Sequence, residues 1–560
     1  MDKQRPRGLL ISNFNISNLA GYLRHESDPP GLEITVAPFG QVMPVLMQSD
    51  LEYGQGQPDF ALIWTQPEQI SESFASLLAY ESSSLEAILA EVDAYCALLL
   101  DLRRRVKSVF VPTWVLPGYQ RGWGLLDMKV SFGLAQTLLR MNLRLAENLA
   151  QAADIYLLDA QRWVSLAGKN AFNPKLWYMG KIPFSNEVFS EAAADIKSAL
   201  RGIDGQARKL IVLDLDDTLW GGIVGDTDWE NLRLGGHDPL GEAYADFQAA
   251  LKALTRRGIL LGIVSKNEAA VALEAIQRHP EMALKLEDFA GWKINWQDKA
   301  QNIVELAAEL NLGLQAVVFI DDNPVERDRV KAALPEVLVP DWPPDKMNYK
   351  SALLCLRCFD NPTVSQEDLV KTQLYVSERQ RQQMKQTIGS LDEWLTSLNL
   401  VVTVETLNEL NLPRAAQLLN KTNQMNLTTR RMTESELAEW ASQPHHRLWT
   451  FRVADKFGDA GLTGIASLEV EGDSGRIVDF VLSCRVMGRQ VEETILYIIL
   501  NHAQTAGLTE VYARYIPTPK NKPCLSFFER AAGAANGDNL FTWELRREYP
   551  APAPVKINAL

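Results

Sequence analysis

The segment LIVLDLDDTLWGG places acidic residues directly after a short apolar run. Asp214 and Asp216 are two residues apart, so their side chains point the same way in an extended chain, and Thr218 follows at the same spacing. Two further apolar runs end in polar clusters, Ser265–Asn267 and Asp321–Asp322. Carboxylates held close together raise one another's pKa unless a cation lies among them. Because Mg²⁺ prefers carboxylates, carbonyls and waters, the pattern predicts a magnesium site with room for a phosphate.

A second group of residues that could do chemistry lies in VLSCRVMGRQVEETIL. An apolar run ends near Cys484, and Arg485, Gly488 and Arg489 form a turn that leads into a helical pattern. Amides at a helix N-terminus bind phosphate, and glycine allows close approach. The same N-terminus and Arg485 would favour the thiolate of Cys484, a plausible acyl acceptor. The alternative is a small buried side chain without a chemical role.

The elements that must position these residues divide the chain into four parts. Residues 1–205 alternate short apolar runs with amphipathic stretches, which predicts a parallel sheet covered on both faces. Residues 206–345 repeat that pattern, and their polar clusters fall at the carboxyl ends of strands, where open parallel sheets place their sites. Residues 346–396 predict a helical connector, and residues 397–560 predict an antiparallel meander followed by an amphipathic helix.

Composition limits the class of protein. At about 150 residues per domain, 560 residues suggest several domains, and 46% hydrophobic with 22% charged residues is an ordinary globular balance. The net charge of −14 argues against nucleic-acid and anionic-membrane partners. No apolar run approaches the ~20 residues of a membrane span, no secretory signal is apparent, and five cysteines make no disulfide framework. We therefore expect a cytoplasmic multidomain α/β protein.

The acidic clusters resemble, in order and strand context, the motifs of the haloacid dehalogenase (HAD) superfamily. The resemblance makes Asp214 the nucleophile that becomes an aspartyl phosphate. Asp216 would protonate the leaving oxygen and later activate water, while its backbone carbonyl faces Mg²⁺. The resemblance assigns metal binding to Asp214, Asp216, Asp321 and Asp322. It assigns substrate binding to Thr218, Ser265, Lys266 and Asn267.

A lysine should offset the charge of the nucleophile and the phosphoryl group, and two candidates lie six residues apart. Lys299 is preferred over Lys293 because it opens the helix that precedes the acidic pair. Neither the interval from Thr218 to Ser265 nor that from Ser265 to Lys299 has room for a cap domain of roughly 100 residues. A capless site is open, and open sites suit bulky or protein-borne substrates.

The turn after Cys484 resembles the R/Q-x-x-G-x-G/A loop of GNAT acyltransferases, which holds the pyrophosphate of coenzyme A. By that resemblance Arg485, Gly488 and Arg489 bind the ligand, and the preceding strand lines the thioester channel. Gln490 stands where that loop has Gly or Ala. The departure favours the phosphopantetheine arm of a carrier protein, which has one phosphate, over coenzyme A.

Seven segments together resemble the FkbH family of polyketide biosynthesis: LDLDDTLWGGIVGD, GILLGIVSKNE, NWQDKAQNI, FIDDNPVER, KTNQMNLTTRR, DKFGDAGLTG and SCRVMGRQVE. The likeness runs from Lys209 to about Glu529. It implies a glyceryl transferase/phosphatase that takes 1,3-bisphosphoglycerate, removes its phosphates and loads the glyceryl unit onto an acyl carrier protein. The expected architecture is a capless Rossmann-like HAD domain followed by a GNAT-like α+β domain. Lys421–Gln424 is expected near the acyl group, with turn and capping residues as the alternative.

The N-terminal part resembles a degenerate SGNH-hydrolase-like domain. Ser12–Phe14 stands where the SGNH family has a Gly-Asp-Ser turn, and no Asp-x-x-His pair occurs near the end of the domain. A serine without a base is a poor catalyst. We expect a non-hydrolytic scaffold or carrier-docking module.

Three other functions stay open at this stage. The first is a stand-alone HAD phosphatase whose C-terminal domain is a relic. The second is a carrier-binding scaffold without catalysis, against which the intact acidic motifs argue. The third is a GNAT-type acyltransferase with a coenzyme A donor, against which Gln490 argues.

Overall fold

A computed structural model describes residues 5–25, 29–48, 57–130, 132–236, 238–362, 371–533, 539–546 and 549–559. The chain forms two compact units, one of residues 1–208 and 355–363 and the other of residues 209–354 and 364–560. Within the described ranges, no helix combines the length and the apolarity that crossing a bilayer requires.

The first unit contains the five predicted strands in one parallel sheet. The strands are β1 (Arg7–Ser12), β2 (Glu33–Val36), β3 (Phe60–Trp64), β4 (Ser108–Pro112) and β5 (Ile155–Leu158), in the order β2-β1-β3-β4-β5. The helices are α1 (Ser17–Arg24), α2 (Val42–Met47), α3 (Glu72–Leu78), α4 (Leu85–Leu102), α5 (Leu134–Leu149), α6 (Ala160–Ala167), α7 (Pro174–Gly180) and α8 (Asn186–Ile203). Separate hydrophobic cores cover the two faces of the sheet, as predicted for parallel strands.

The second unit begins with a parallel sheet of β6 (Leu210–Leu213), β7 (Leu260–Ser265), β8 (Phe289–Ile294) and β9 (Val317–Ile320), in the order β8-β7-β6-β9. Its helices are α9 (Val224–Thr227), α10 (Pro239–Thr255), α11 (Ala269–Arg278), α12 (Lys299–Glu309), α13 (Pro324–Ala333) and α14 (Tyr349–Leu354). The predicted strands are present, and β8 is an additional edge strand.

The predicted connector is divided between the two units. Residues 355–362 belong to the first unit, where the Arg357 guanidinium is paired with Asp195 and Glu191. The later helices, α15 (Lys371–Thr387) and α16 (Leu391–Ser397), belong to the second unit. The helical prediction over residues 365–370 lies outside the described residues.

Two contacts fix α15 within the second unit. The Arg379 guanidinium lies 4.0 Å from the Trp292 ring of β8 and donates to the Phe289 carbonyl. Arg381 is 5% exposed and forms a two-pronged ion pair with Asp455 in the C-terminal sheet, at 2.6 and 2.9 Å. The helix therefore joins the two sheets of this unit.

The rest of the second unit forms a mixed sheet with helices on both faces. Its strands are β10 (Leu400–Thr406), β11 (Met425–Asn426), β12 (His446–Asp455), β13 (Gly458–Glu471), β14 (Ser474–Leu482), β15 (Glu510–Arg514), β16 (Leu540–Glu544) and β17 (Val555–Ala559). The path is β16-β15-β14-β13-β12-β10-β17, with β11 paired to β14. The helices are α17 (Leu412–Lys421), α18 (Glu434–Ala441), α19 (Val491–Thr505) and α20 (Lys522–Ala532). The predicted antiparallel meander is present as β12 to β14.

Candidate active site

The acidic residues are brought together by the parallel strands of the second unit. Asp214 follows the last residue of β6, Ser265 is the last residue of β7, and Asp321 follows β9. The strands are buried and adjacent, and the backbone N–H of Asp214 donates to the Ile320 carbonyl at 3.0 Å. The three carboxyl ends therefore meet at one edge of the sheet, where sites form in such folds.

The centre of the site is a buried ammonium group between two carboxylates. Lys299 Nζ lies 3.0 Å from Asp214 Oδ2 and 2.7 Å from Asp321 Oδ2. The lysine is 4% exposed, and it is the first residue of α12, as predicted. Lys293 lies elsewhere and pairs with Glu305 and Glu309. The structure therefore places Lys299, and not Lys293, between the two carboxylates, and its role in catalysis stays a prediction.

The acidic residues fit a divalent cation. Carboxylate oxygens of Asp214, Asp321 and Asp322 lie within 4.8 Å of one another. Asp214 Oδ1 is buried without a hydrogen-bond partner, whereas its Oδ2 is held by Lys299. A buried unpaired carboxylate oxygen is costly, and a hard cation that prefers oxygen ligands would satisfy it.

Burial and charge oppose each other at these carboxyls. Burial raises the pKa of Asp214, and the Lys299 ammonium acts against that rise. Burial also raises the pKa of Asp321, and Lys299 again opposes it. Because a bound cation favours the ionised carboxylates in the same way as Lys299, a metal would keep Asp214 anionic and nucleophilic.

The carboxylate of Asp216 is held outside this group. Its Oδ1 accepts from the Trp220 indole at 2.9 Å and from the Val224 amide at 3.1 Å, and its Oδ2 accepts from Asn267 Nδ2 at 2.8 Å. Three donors fix the orientation of this carboxylate, and its role as acid and base stays a prediction. Its side chain is absent from the cation-binding group, and the expected role of its backbone carbonyl stays a prediction.

The predicted substrate-binding residues divide into those that contact the catalytic carboxylates and those that do not. Ser265 Oγ accepts from Asn267 Nδ2 at 3.1 Å, and Asn267 Nδ2 also donates to Asp216 Oδ2, so Asn267 links Ser265 to Asp216. Lys266 is paired with Glu326 at 2.6 Å. Thr218 is fully buried, and its Oγ1 accepts from the Asp322 amide at 3.1 Å. Thr218 therefore contacts the acidic pair in the structure, and its contact with a phosphate stays a prediction.

Lys346 is a residue of this site that the sequence did not indicate. Its Nζ donates to Asp322 Oδ2 at 3.0 Å and to the Asp217 carbonyl at 2.9 Å. It lies at the end of the Pro-rich stretch VPDWPPDK, a part of the chain without a recognisable motif. Its approach to the acidic pair depends on the packing of α14 against α10, which no local pattern reveals.

Cys484 lies at the surface, just beyond the end of β14. It begins a short helical turn, Cys484–Val486, and it is exposed. Asn311 Nδ2 lies 3.8 Å from its sulfur. Asn311 follows α12, whose first residue is Lys299. Since α12 has eleven residues at 1.5 Å per residue, the thiol and the aspartate site lie at opposite ends of a helix of about 16 Å.

Gly488 and Arg489, the predicted phosphate-binding residues, already bind side chains of the protein. Gly488 has a positive φ of 71°, as a close approach requires, but its N–H donates to Glu492 Oε1 at 2.7 Å. Arg489 is 4% exposed and pairs with Glu378 and Asp455. The prediction that Gly488 and Arg489 hold a ligand's phosphate does not fit this arrangement, because a carboxylate and an ion-pair network take both groups.

Glu492 is therefore a buried acid at the N-terminus of α19. It is 5% exposed, and its second oxygen, Oε2, has no hydrogen-bond partner. Burial raises the pKa of Glu492 to about 7, although the Gly488 amide favours the carboxylate. At neutral pH this group sits close to its titration point.

Arg485, unlike Arg489, borders open space. Its Nε donates to Ser483 Oγ at 3.2 Å. It lines a cavity of about 1340 Å³ together with Arg414 and Arg452, and with acidic residues that include Asp459. Of the three residues predicted to cradle a ligand, Arg485 is the one that this cavity supports.

The edge of β14 that should line a thioester channel is also occupied. The parallel pairing of β14 and β15 covers only residues 474–477 and 510–513. Beyond it, β11 pairs with Val481 and Leu482, and Leu427 bonds both Phe480 and Ile516 through its backbone. The chain itself fills the gap between the strands, so a thiol would reach Cys484 from the side of the turn. Residues 421–424 directly precede β11, which occupies this gap, and their expected contact with the acyl group stays a prediction.

The serine at the position of the SGNH turn is buried. Ser12 is 5% exposed, and its Oγ accepts from the Phe14 amide at 3.1 Å. Asn13 exchanges hydrogen bonds with the backbone of Gln66. These contacts agree with the expectation of a non-hydrolytic domain, which stays a prediction.

Comparison with solved structures finds a relative that contains a phosphatase domain. No protein-family model and no curated protein matches the chain. The N-terminal part of protein BF1531 from Bacteroides fragilis, which contains a phosphatase domain and was solved in complex with Mg, is 27% identical. The likeness covers 64% of this chain and 95% of that chain, with a TM-score of 0.59. Together with the Asp214 site, it supports an enzyme that has a phosphatase domain.

Acetyltransferases give weaker matches. An Escherichia coli ribosomal-protein-alanine N-acetyltransferase is 9% identical over 26% of this chain and 95% of that chain, with a TM-score of 0.20. An acetyltransferase of the GNAT family from Staphylococcus aureus is 8% identical over 26% of this chain and 99% of that chain, with a TM-score of 0.21. These scores are too low to carry an argument about function.

Replacing Lys346 by Met should tighten the binding of Mg²⁺ about tenfold. The change removes a positive charge beside Asp322, and a repulsion of roughly 1–2 kcal/mol at ~6 Å in a hydrated site corresponds to that factor. Isothermal titration calorimetry of Mg²⁺ measures the effect. Lys350→Met is the matched control, since Lys350 pairs with the distant Asp246 at the surface. Weaker binding in Lys346→Met would mean that this lysine builds the site instead of opposing the cation.

Replacing Glu492 by Gln should stabilise the protein at pH 8 more than at pH 5. The folded-state pKa of about 7 lies above the ordinary 4.5, so between these pH values folding retains a proton that the unfolded chain releases. The free energy of unfolding therefore falls as pH rises through this window, by at most on the order of 3 kcal/mol. Glutamine keeps the acceptor for Gly488 and does not titrate. Calorimetric melting at both pH values, with Glu493→Gln as control, checks the difference; an equal shift at both values contradicts it.

Proposed function

We propose that the protein is a Mg²⁺-dependent glyceryl transferase/phosphatase of the FkbH type, acting in polyketide biosynthesis. It would use 1,3-bisphosphoglycerate and load a glyceryl unit onto the phosphopantetheine thiol of an acyl carrier protein. The observation that carries the phosphatase half is the buried Asp214–Lys299–Asp321 group with its unpaired carboxylate oxygen. The Mg-bound phosphatase domain of the Bacteroides fragilis relative supports it.

The phosphatase step rests on residues that the structure brings together. Asp214 attacks the phosphorus of the phosphomonoester, and the bond from phosphorus to the glyceryl oxygen breaks. Asp216 donates a proton to that oxygen and then takes one from the water that hydrolyses the aspartyl phosphate. Lys299 offsets the negative charge that gathers on the two groups. A magnesium ion held by Asp214, Asp321 and Asp322 would add further charge stabilisation.

The transfer step rests on the exposed sulfur of Cys484. Its thiolate attacks the carbonyl carbon of the acyl phosphate, the bond to the phosphate oxygen breaks, and inorganic phosphate leaves with the electron pair. The pantetheine thiolate then attacks the thioester, and Cys484 is released. The two thioesters are nearly equal in energy, so the loss of phosphate supplies the direction. The five cysteines lie free, as a reducing cytoplasm would keep them.

The second candidate function is a phosphatase whose C-terminal domain has lost transferase activity. Two observations favour this second function. The Gly488 amide is bonded to Glu492, and β11 is paired with the edge of β14, so the chain itself occupies both places where a coenzyme A-like ligand would bind. The same two observations argue against a coenzyme A donor. Mass spectrometry of the protein and a phosphopantetheinylated carrier, after incubation with Mg²⁺ and 1,3-bisphosphoglycerate, separates the functions. Transfer gives a glyceryl adduct without phosphate on each protein, whereas a relic domain gives phosphate release alone.

Asp214→Asn should lower phosphate release by roughly 10³-fold or more, because the amide is neither an anionic nucleophile nor a strong metal ligand. A phosphate-release assay with 3-phosphoglyceryl substrates measures the loss. The exposed Asp226→Asn is the control and should retain full turnover. Undiminished release by Asp214→Asn would remove this residue from the mechanism.

Cys484→Ala should abolish the covalent glyceryl adduct that intact-protein mass spectrometry detects. It should leave the release of phosphate from phosphomonoesters unchanged, because the sulfur lies at the other end of α12 from Asp214. Cys355→Ala removes another exposed thiol and serves as the control. If the adduct persists in Cys484→Ala and disappears in Cys355→Ala, the acyl acceptor has been assigned to the wrong cysteine.

A further inference from the structure

The first unit contains a cavity that the proposed function does not use. Its volume is about 310 Å³, at the lower end of the range for small-molecule sites. It begins at Trp64, the last residue of β3, and continues along the segment after β4. The carboxyl ends of parallel strands are where open sheets of this kind bind ligands.

The walls of the cavity are aromatic and firmly packed. Five rings line it: Trp64, Tyr119, Phe172, Trp177 and Phe184. Trp64 and Phe184 are stacked with their centroids 4.9 Å apart, and Phe172 lies 5.2 Å from Phe184. The Asn173 amide donates to the Pro183 carbonyl, which ties this segment together behind the rings. The aromatic surface is therefore formed before any ligand arrives.

The polar residues that line the cavity include two with acceptor oxygens, Gln66 and Glu68. Gln66 Oε1 is buried without a hydrogen-bond partner. Hydrogen bonds between its backbone and the Asn13 side chain, at 2.9 and 3.2 Å, fix the position of Gln66. Glu68 contributes a partly buried carboxyl two residues further on, and burial raises the pKa of that carboxyl.

Two other polar side chains of the lining, Thr65 and Asn173, already accept hydrogen bonds from the protein. Thr65 Oγ1 accepts from the Trp114 indole at 2.9 Å, and Asn173 Oδ1 accepts from two amides at the start of α7. None of the residues that line the cavity is Lys, Arg or His. An anion would thus meet the Glu68 carboxyl and no cation, and the donors available to it would include the neutral amides of Gln66 and Gln120 and the Tyr119 hydroxyl. An ammonium ion would have the oxygens of Gln66 and Glu68 as acceptors.

We propose that this cavity binds a small organic ammonium ion with a flat apolar body. The ammonium would donate to Gln66 Oε1 and to the Glu68 carboxylate, and the rings would enclose the apolar part. Aromatic faces attract cations by about 0.5–2 kcal/mol. The Trp177 ring shows this attraction within the chain, because the Lys181 ammonium lies 4.9 Å from its centroid. The site is separate from the phosphatase and transferase residues, so it extends the proposed function without depending on it.

A titration of the full chain with matched probes tests the proposal. The probes are 2-phenylethylammonium, its neutral analogue 2-phenylethanol and the anion phenylacetate, and ligand-observed NMR gives the dissociation constants. The ammonium ion should bind about tenfold more tightly than the alcohol, and phenylacetate should not bind. Equal binding of ammonium and alcohol, or no binding of any probe, overturns the proposal.

Variants assign the selectivity to the carboxyl. Glu68→Gln should weaken binding of the ammonium ion about tenfold, to the level of the alcohol, and leave the alcohol unchanged. Glu72→Gln removes an exposed acid four residues along and should change neither affinity. Tyr119→Ala should weaken both ligands, since it removes a ring that is 64% exposed at the cavity. An unchanged circular-dichroism spectrum and melting curve shows that each variant is folded, and an ammonium preference that survives in Glu68→Gln contradicts the assignment.

Discussion

The phosphatase-like site depends on one buried ammonium group. Lys299 is 4% exposed and touches two carboxylates that are themselves buried, so none of the three charges is well solvated. A buried ion pair is stable only when its partners remain in place, and removal of one leaves an uncompensated charge. The strands β6 and β9 hold the carboxylates at a fixed separation, and α12 begins at the lysine. The active-site geometry is therefore built into the fold and does not wait for a substrate.

The same reasoning explains why the arrangement calls for a further cation. The three acidic residues of the cation-binding group bring three negative charges, and Lys299 and Lys346 bring two positive ones to the same place. Asp214 Oδ1 is left without a donor although it is buried. The unpaired oxygen and the excess of negative charge lie at Asp214, the proposed nucleophile, where a phosphate would add further negative charge. A divalent ion resolves both at once, and a third lysine would not supply the coordination geometry.

The sequence was informative where chemistry follows local spacing. The order of Asp214, Ser265 and Asp321 at strand ends, and the helix that starts at Lys299, could be predicted because each depends on a few neighbouring residues. Edge strand β8 was missed because its sequence, FAGWKI, carries Gly and Lys within a short run. Lys346 could not be predicted, since its contact with Asp322 joins residues 24 apart through the packing of α14. In the C-terminal sheet, Gly488 and Arg489 matched a ligand loop by spacing, but Glu492, Glu378 and Asp455 decide what these residues bind.

The position of Cys484 places a physical condition on any transfer between the two sites. The sulfur lies beside Asn311, beyond one end of α12, and the nucleophile lies beside Lys299 at the other end. A path of about 16 Å along a rigid helix cannot be closed by rotating side chains. In addition, β11 is paired with β14 beyond the end of the β14–β15 pairing, so the space between these two strands is not open to a ligand. Under the proposed function, an acyl group bound at Cys484 therefore cannot present its phosphate to Asp214 from there. Either the phosphate is removed before the sulfur is acylated, or it is removed after the acyl group has left on a mobile thiol. The first order needs an aspartate site that admits the free bisphosphate, and it leaves a phosphate-free adduct on Cys484. The second order needs a site that admits a phosphoglyceryl group on a carrier, and its adduct on Cys484 still carries the phosphate.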